Sequence, residues 1–182
     1  MAVAPEGAAG DEALMQAYAG GDAAAFEALY RRHKDALYRY LLRGTSSPDQ
    51  AAELFQDVWK NLIQARLRYR PDAPFGAYLF KLAHNRLMDH FRQRRPTSEV
   101  PEDLPAPESE RPDAMAARRV EAERLLRALA LLPHEQREVI VLREERDLTL
   151  EEIAAIQGVG RETVKSRLRY ALAKLREVLG HE

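Results

Sequence analysis

Five of the chain's ten prolines, Pro96, Pro101, Pro105, Pro107 and Pro112, stand within one short stretch, with Glu99, Glu102, Asp103, Glu108, Glu110 and Asp113 among them. A proline inside a helix removes a backbone hydrogen bond and clashes with the preceding turn. A segment this poor in apolar side chains cannot bury enough surface to offset its ordering entropy. Residues 96–113 therefore read as an acidic linker across which no helix or core runs. Folding is confined to its two sides: residues 11–95 as one small domain and 114–182 as another, with 1–10 as a flexible tail.

Composition suits that division. Of 182 residues, 46% are hydrophobic, 31% charged and only 7% aromatic, the balance of a soluble protein with small cores. The absence of cysteine excludes disulfides and thiolate metal sites. Five scattered histidines make no metal-ligand set, and no cofactor is expected. The net charge of −1 would argue against a polyanionic partner, but it averages strongly opposed local blocks. Met1 to Gly10 lacks the basic and apolar regions of a signal peptide, and no stretch nears the eighteen or so apolar residues of a membrane span. The expected location is cytoplasmic, without membrane insertion.

Helical periodicity runs through both halves. Asp11 to Ala19 predicts a short helix stopped by Gly20 and Gly21, and Asp22 then caps a longer one with Phe26, Leu29, Tyr30, His33, Leu37, Tyr40 and Leu41 at helical spacing. Ser47-Pro48-Asp49-Gln50 reads as a capping box opening a helix with Ala51, Leu54, Phe55, Val58 and Leu62 on its apolar face. After Pro71 and Pro74, a helix from Phe75 to Arg95 places Phe75, Leu79, Leu82, Ala83, Leu87 and Phe91 inside. Beyond the linker, Val120, Leu125, Leu129 and Leu132 mark a helix stopped at Pro133, which begins another carrying Val139, Ile140 and Leu142. No strand-like alternation occurs. The expected fold is all-α: an N-terminal helical bundle and a C-terminal helix-turn-helix domain.

The helix-turn-helix is the most specific local signal. Thr149-Leu150-Glu151-Glu152 is a second capping box, opening a short helix with Ile153, Ala154 and Ile156. Gly158 accepts the left-handed conformation that ends it, and a second helix starts near Arg161. Two helices joined by a short glycine-containing turn, with small Ala154 at the crossing, project the second helix into a major groove. That helix carries Arg161, Lys165, Arg167, Arg169, Lys174 and Arg176 against Glu162 and Glu177, an excess suited to phosphate neutralisation. Arg161, Glu162, Lys165, Ser166 and Arg169 are the candidate DNA contacts. A basic helix alone is as readily a solvated surface; the turn chemistry favours DNA.

A second basic block interleaves with rings in FGAYLFKLAHNRLMDHFRQRR, Phe75 to Arg95. Stacking platforms beside cations are what a single nucleic-acid strand requires. Phe75, Phe80 and Phe91 read more readily as core, and His84 and His90 as surface. Asn85, with neither core character nor helix propensity, is the strongest candidate for reading a base edge.

Taken together, AAELFQDVW (Ala51 to Trp59), FGAYLFKLAHNRLMDHFRQRR, LLP (Leu131 to Pro133) and LTLEEIAAIQGVGRETVKSRL (Leu148 to Leu168) resemble, in order and separation, a bacterial RNA polymerase sigma factor of the extracytoplasmic-function type of the sigma-70 family. The resemblance covers about Asp11 to Leu179. It implies that residues 11–95, as sigma region two, bind the clamp helices of the polymerase β′ subunit and melt the minus-ten element. Residues 114–182, as region four, would read the minus-thirty-five element of the promoter and touch the β flap.

By the same resemblance, Glu53, Gln56, Asp57 and Trp59 are the candidate polymerase contacts, Trp59 serving equally well as core. Tyr78, Lys81, Asn85 and Arg92 would handle the minus-ten strand, with one base flipped into a pocket. Four departures from the family's pattern bear on promoter choice: Tyr78 stands where tryptophan is common, Gln157 where leucine is usual, and Gly160 and Glu162 where serine and glycine often sit. The linker reads as an RNA mimic near the polymerase active site or as a solvated tether. An anti-sigma factor enters as a further partner. Thr45, Ser46 and Ser47 lie where phosphorylation would meet the polymerase contact, although Ser47 is better placed as a helix cap.

Two other functions are weighed against this. A free-standing helix-turn-helix regulator would bind its operator tightly without polymerase. An enzyme finds no support, since the chain has no phosphate-binding glycine loop, metal-ligand cluster or activated nucleophile.

Overall fold

A computed structural model of the chain describes residues 9–45, 47–93 and 114–180. These are all-α, with no strand among the described residues: α1 Asp11–Ala19, α2 Ala23–Thr45, α3 Pro48–Ala65, a 3-10 turn Arg66–Arg68, α4 Phe75–Gln93, α5 Ala114–Ala130, α6 His134–Arg146, α7 Leu150–Gln157 and α8 Arg161–Leu179. They form two compact units, α1 to α4 and α5 to α8. The linker read from the sequence lies outside the described residues, as does the end of the helix expected to reach Arg95.

In the first unit α2 packs against α1, α3 and α4, and α3 against α4. Leu29, Leu37, Leu41, Leu54, Val58, Leu62, Phe75, Leu79, Phe80 and Leu87 are buried where those helices meet. Caps fix the entries. The Asp22 carboxylate accepts the N–H groups of Ala24 at 2.9 Å and Ala25 at 3.3 Å, and opens α2. Ser47 Oγ accepts from Gln50 N at 3.5 Å. The expected reciprocal box does not close, because the Gln50 amide oxygen lies 3.1 Å from His90 Nε2 on α4. A tertiary hydrogen bond has displaced the local one.

Helix α4 is opened by a side chain far away in sequence. Glu12 Oε1 on α1 accepts the Phe75 N–H at 2.7 Å, placing a carboxylate on the positive end of the helix dipole. Beside it, Asp11 ties α1 to α2: its Oδ1 accepts from Arg32 Nη1 at 2.7 Å, and its Oδ2 lies 2.6 Å from Nε2 of His33, which is only 4% exposed.

In the second unit α8 packs against α5, α6 and α7, and α6 against α7. Ala128, Leu129, Leu132, Ile140, Ala171 and Leu175 form one cluster, with Leu168, Leu172, Val178 and Leu179 packed against it. Val139, Leu142, Ile153, Ile156 and Val164 are buried as well. Two apolar positions that marked α5 in the sequence are not buried: Val120 is 64% and Leu125 43% exposed, whereas Ala128 and Leu129 join the core cluster. Phe91, expected inside the first unit, is also exposed, one turn beyond buried Leu87.

Candidate nucleic-acid interface

The turn between α7 and α8 is determined by its sequence. Thr149 Oγ1 accepts the Glu152 N–H at 3.2 Å while Glu152 Oε2 accepts the Thr149 N–H at 2.7 Å, so two otherwise unpaired donors are satisfied reciprocally. Gly158 adopts φ 66° and ψ 34°, and its N–H and that of Val159 both turn back to the Ala154 carbonyl. Gly160 then provides an extended N-cap whose carbonyl accepts from Thr163 and Val164 at 3.0 and 3.2 Å. Ala154, at the crossing, is buried.

On α8, Val164, Ala171 and Leu175 face inward, leaving Arg161, Glu162, Lys165 and Arg169 exposed and Ser166 half-buried. Positions 161, 165 and 169 recur every four residues and share one face. The five sequence-selected residues are thus brought together on the outer side of the helix. Their charges are interlocked. Arg161 pairs with Glu151 and, at 3.2 Å, with Glu162, and Lys165 lies 3.8 Å from Glu162. The Glu151 hydrogen bond holds the Arg161 guanidinium protonated above its ordinary range. Arg169 lies with its guanidinium carbon 5.0 Å from the centroid of the exposed Tyr170 ring. Arg167, counted in the basic excess, is turned away, its Nη1 donating to Gln157 Oε1 at 2.7 Å.

In the first unit, positions 78, 85 and 92 of α4 repeat every seven residues, and Lys81 lies beside them, so the four candidates share a stripe. Asn85 and Arg92 are exposed; Lys81 and Tyr78 are half-buried. Tyr78 is not a free platform. Its ring stands 5.0 Å from that of Tyr69 in an edge-on arrangement, and burial pushes its hydroxyl pKa up, partly offset by Arg68. Arg92 is paired with Asp89, the one carboxylate of the stripe.

Helix α3 exposes Glu53 and Gln56 together. Asp57 is partly covered and pairs with Arg86 of α4, so it links the two helices. Of the two readings of Trp59, the structure takes the core. It is 5% exposed, packs edge-on against Phe26 and Phe55 at 5.7 and 6.2 Å, and its Nε1 is buried without a hydrogen-bond partner. A side chain enclosed this way does not make a direct surface contact.

Sequence reasoning passed over the segment that leads into α4. Leu67 is 74% exposed, with Arg68 and Arg70 exposed beside it and Arg66 over the Tyr18 ring at 6.0 Å. The signal was available in the string RLRYR, four residues of which are basic or aromatic outside any helical period. The Arg86–Asp57 and Gln157–Arg167 pairs were also missed, and these carry no local signal because their partners lie on other helices. No helix among the described residues is long and apolar enough to cross a membrane.

Comparison with known proteins follows the same division. Residues 29–97 match the model of sigma-70 region 2, and residues 128–177 that of sigma-70, region 4. The chain is 36% identical over 160 residues to the ECF RNA polymerase sigma factor RpoE of Cereibacter sphaeroides, covering 86% of this chain and 87% of the relative. It is 32% identical over 170 residues to the RNA polymerase sigma factor CarQ of Myxococcus xanthus, covering 91% and 95%. Among solved structures it is similar to CnrH in complex with the cytosolic domain of CnrY, with a TM-score of 0.70 and 28% identity over 94% of this chain and 98% of that one.

Proposed function

The chain belongs to the RNA polymerase sigma factors of the extracytoplasmic-function type, within the sigma-70 family, and from that premise we propose how its two helical units divide the work of starting transcription. It is a transcription initiation factor and not an enzyme: it binds core RNA polymerase and directs initiation at promoters by recognising their minus-ten and minus-thirty-five elements. In the proposed division, residues 11–95 hold the β′ clamp helices and the minus-ten strand. Residues 114–182 hold the minus-thirty-five duplex and the β flap, and residues 96–113 join them.

The carrying observation is the outer face of α8, where Arg161, Lys165 and Arg169 stand in register behind a turn locked by Gly158 and the Thr149–Glu152 box. Cations there neutralise phosphate, while Glu162 and Ser166 lie within the same two turns to meet base edges. On α4, Lys81 and Arg92 supply backbone charge and Asn85 a base-reading amide. Exposed Glu53 and Gln56 on α3, with Asp57 behind them, offer acceptors to arginines of the polymerase. A protein that sequesters the chain is part of the proposal, as is a cytoplasmic location; CnrH, solved with the cytosolic domain of CnrY, supports the first.

Gel filtration of the chain with core polymerase, followed by run-off transcription, tests this reading. Co-elution and initiation that requires the chain are expected. Separate elution, or tight duplex binding by the chain without polymerase and no initiation with it, supports the free-standing regulator instead.

A further inference from the structure

Gln157 closes α7 with both polar atoms of its amide bonded to other helices. Its Nε2 donates to Glu138 Oε2 at 2.8 Å and to the Glu135 carbonyl at 3.1 Å, both on α6. Its Oε1 accepts from Arg167 Nη1 of α8 at 2.7 Å. Two acceptors on one side and a cation on the other fix which way round the amide stands. Glu138 is only 3% exposed, so this donor meets a carboxylate that is withdrawn from water. A single side chain at the C-terminus of α7 therefore ties α6 to α8 through two half-buried polar bonds, to Glu138 and Arg167, and an exposed one to the Glu135 carbonyl; such bonds carry more directional constraint than apolar packing.

The tie has two consequences for α8. It removes Arg167 from the cations facing outward, although Arg167 lies between Lys165 and Arg169 in sequence. It also fixes the second turn of α8 against α6, and hence the angle at which the first turn is presented. An apolar residue at 157 can do neither. We propose that Gln157, with Arg167 and Glu138, is a specificity-determining positioning group: it sets the pitch of α8 on its phosphate anchors Arg161, Lys165 and Arg169, and so selects which minus-thirty-five base pairs Glu162 and Ser166 can reach. Arg167 itself is not a phosphate contact. This rests on the reading of α8 as the minus-thirty-five reader.

The test uses holoenzyme reconstituted from core polymerase and the full chain, on a promoter pool randomised over the minus-thirty-five element. Two quantities are read: the base preference at each randomised position, and the salt dependence of promoter binding. Gln157→Leu and Arg167→Gln are each expected to flatten the preference at one or more positions by about tenfold, the size of one good base contact. Their double variant should flatten it no further, because both cut the same tie. The salt slope of Arg167→Gln should match the wild type. Arg167→Lys, which keeps a donor for the single bond to Gln157, should retain the wild-type preference and guards against a loss that merely reflects misfolding.

An Arg167→Gln slope shallower by about 0.9 with unchanged preference shows Arg167 to be an ordinary phosphate contact and overturns the proposal. So do additive effects in the double variant, or loss of preference in Arg167→Lys at wild-type thermal stability. If the wild-type chain draws no minus-thirty-five preference from the pool, the reading of α8 fails; if it does and both single variants keep that preference, only the tie fails.

Discussion

Gly158 shows how a single residue's backbone sets the approach of a helix. At φ 66° it occupies the left-handed region, yet nothing lies within 4 Å of where a Cβ would stand, so a side chain there meets conformational strain and no clash. Gly158→Ala should cost about 1–2 kcal/mol in denaturant unfolding, and Gly158→Asn less, because asparagine tolerates this region. Asp11 carries a different single-residue requirement. Burial raises its pKa, but the hydrogen bonds from Arg32 and His33 outweigh that and hold it below the ordinary carboxylate value. A depressed folded-state pKa means stability that is fully present above about pH 4 and is lost as the pH falls through the folded value. Asp11→Asn should therefore destabilise the first unit by about 1–3 kcal/mol at neutral pH, with the gap to wild type closing in acid, as urea melts at stepped pH would show. The residues that sequence reading placed best are those whose partners are near in the chain, such as Asp22, Thr149 and Glu152. The reciprocal bond expected of Gln50 is replaced by one to His90, Trp59 was left open between core and contact, and the partners of Gln157 were missed, because these settings are fixed by other helices and no local pattern encodes them.

At the scale of elements, periodicity and caps marked each α-helix among the described residues, because an apolar stripe and its caps are written locally. What they failed to give was the depth to which each stripe is covered. Val120 and Leu125 keep the helical spacing of a core face but are exposed, and so is Phe91, one turn past buried Leu87 on α4. The faces proposed for polymerase on α3 and for DNA on α8 make separable predictions. Lys165→Ala and Arg169→Ala should each make the salt slope of holoenzyme binding to promoter DNA shallower by about 0.9, one phosphate contact apiece, while co-elution with core polymerase is unchanged. Glu53→Arg should do the reverse, weakening co-elution by about tenfold or more through charge reversal while thermal stability is unaltered. A slope unchanged by both α8 substitutions would place the DNA contact elsewhere.

For the whole molecule, the Pro-rich segment at 96–113 and the two family matches, at 29–97 and 128–177, describe the same division into two helical units. On the outer face of α8 Arg161 and Lys165 are already engaged by Glu151 and Glu162, and on α4 one of the two outermost groups, Arg92, is paired with Asp89. Each is suited to weak recognition that becomes selective when polymerase holds two DNA elements at a set separation, since linked weak contacts reinforce one another only when geometry permits both. The most direct measurement is run-off transcription by core polymerase, with and without the full chain, from a pool randomised across the whole promoter region. The account predicts initiation that depends on the chain, from templates enriched in two short sequences at one preferred spacing, with activity falling when that spacing is changed. Enrichment of a single sequence, indifference to spacing, or equal initiation without the chain would contradict it.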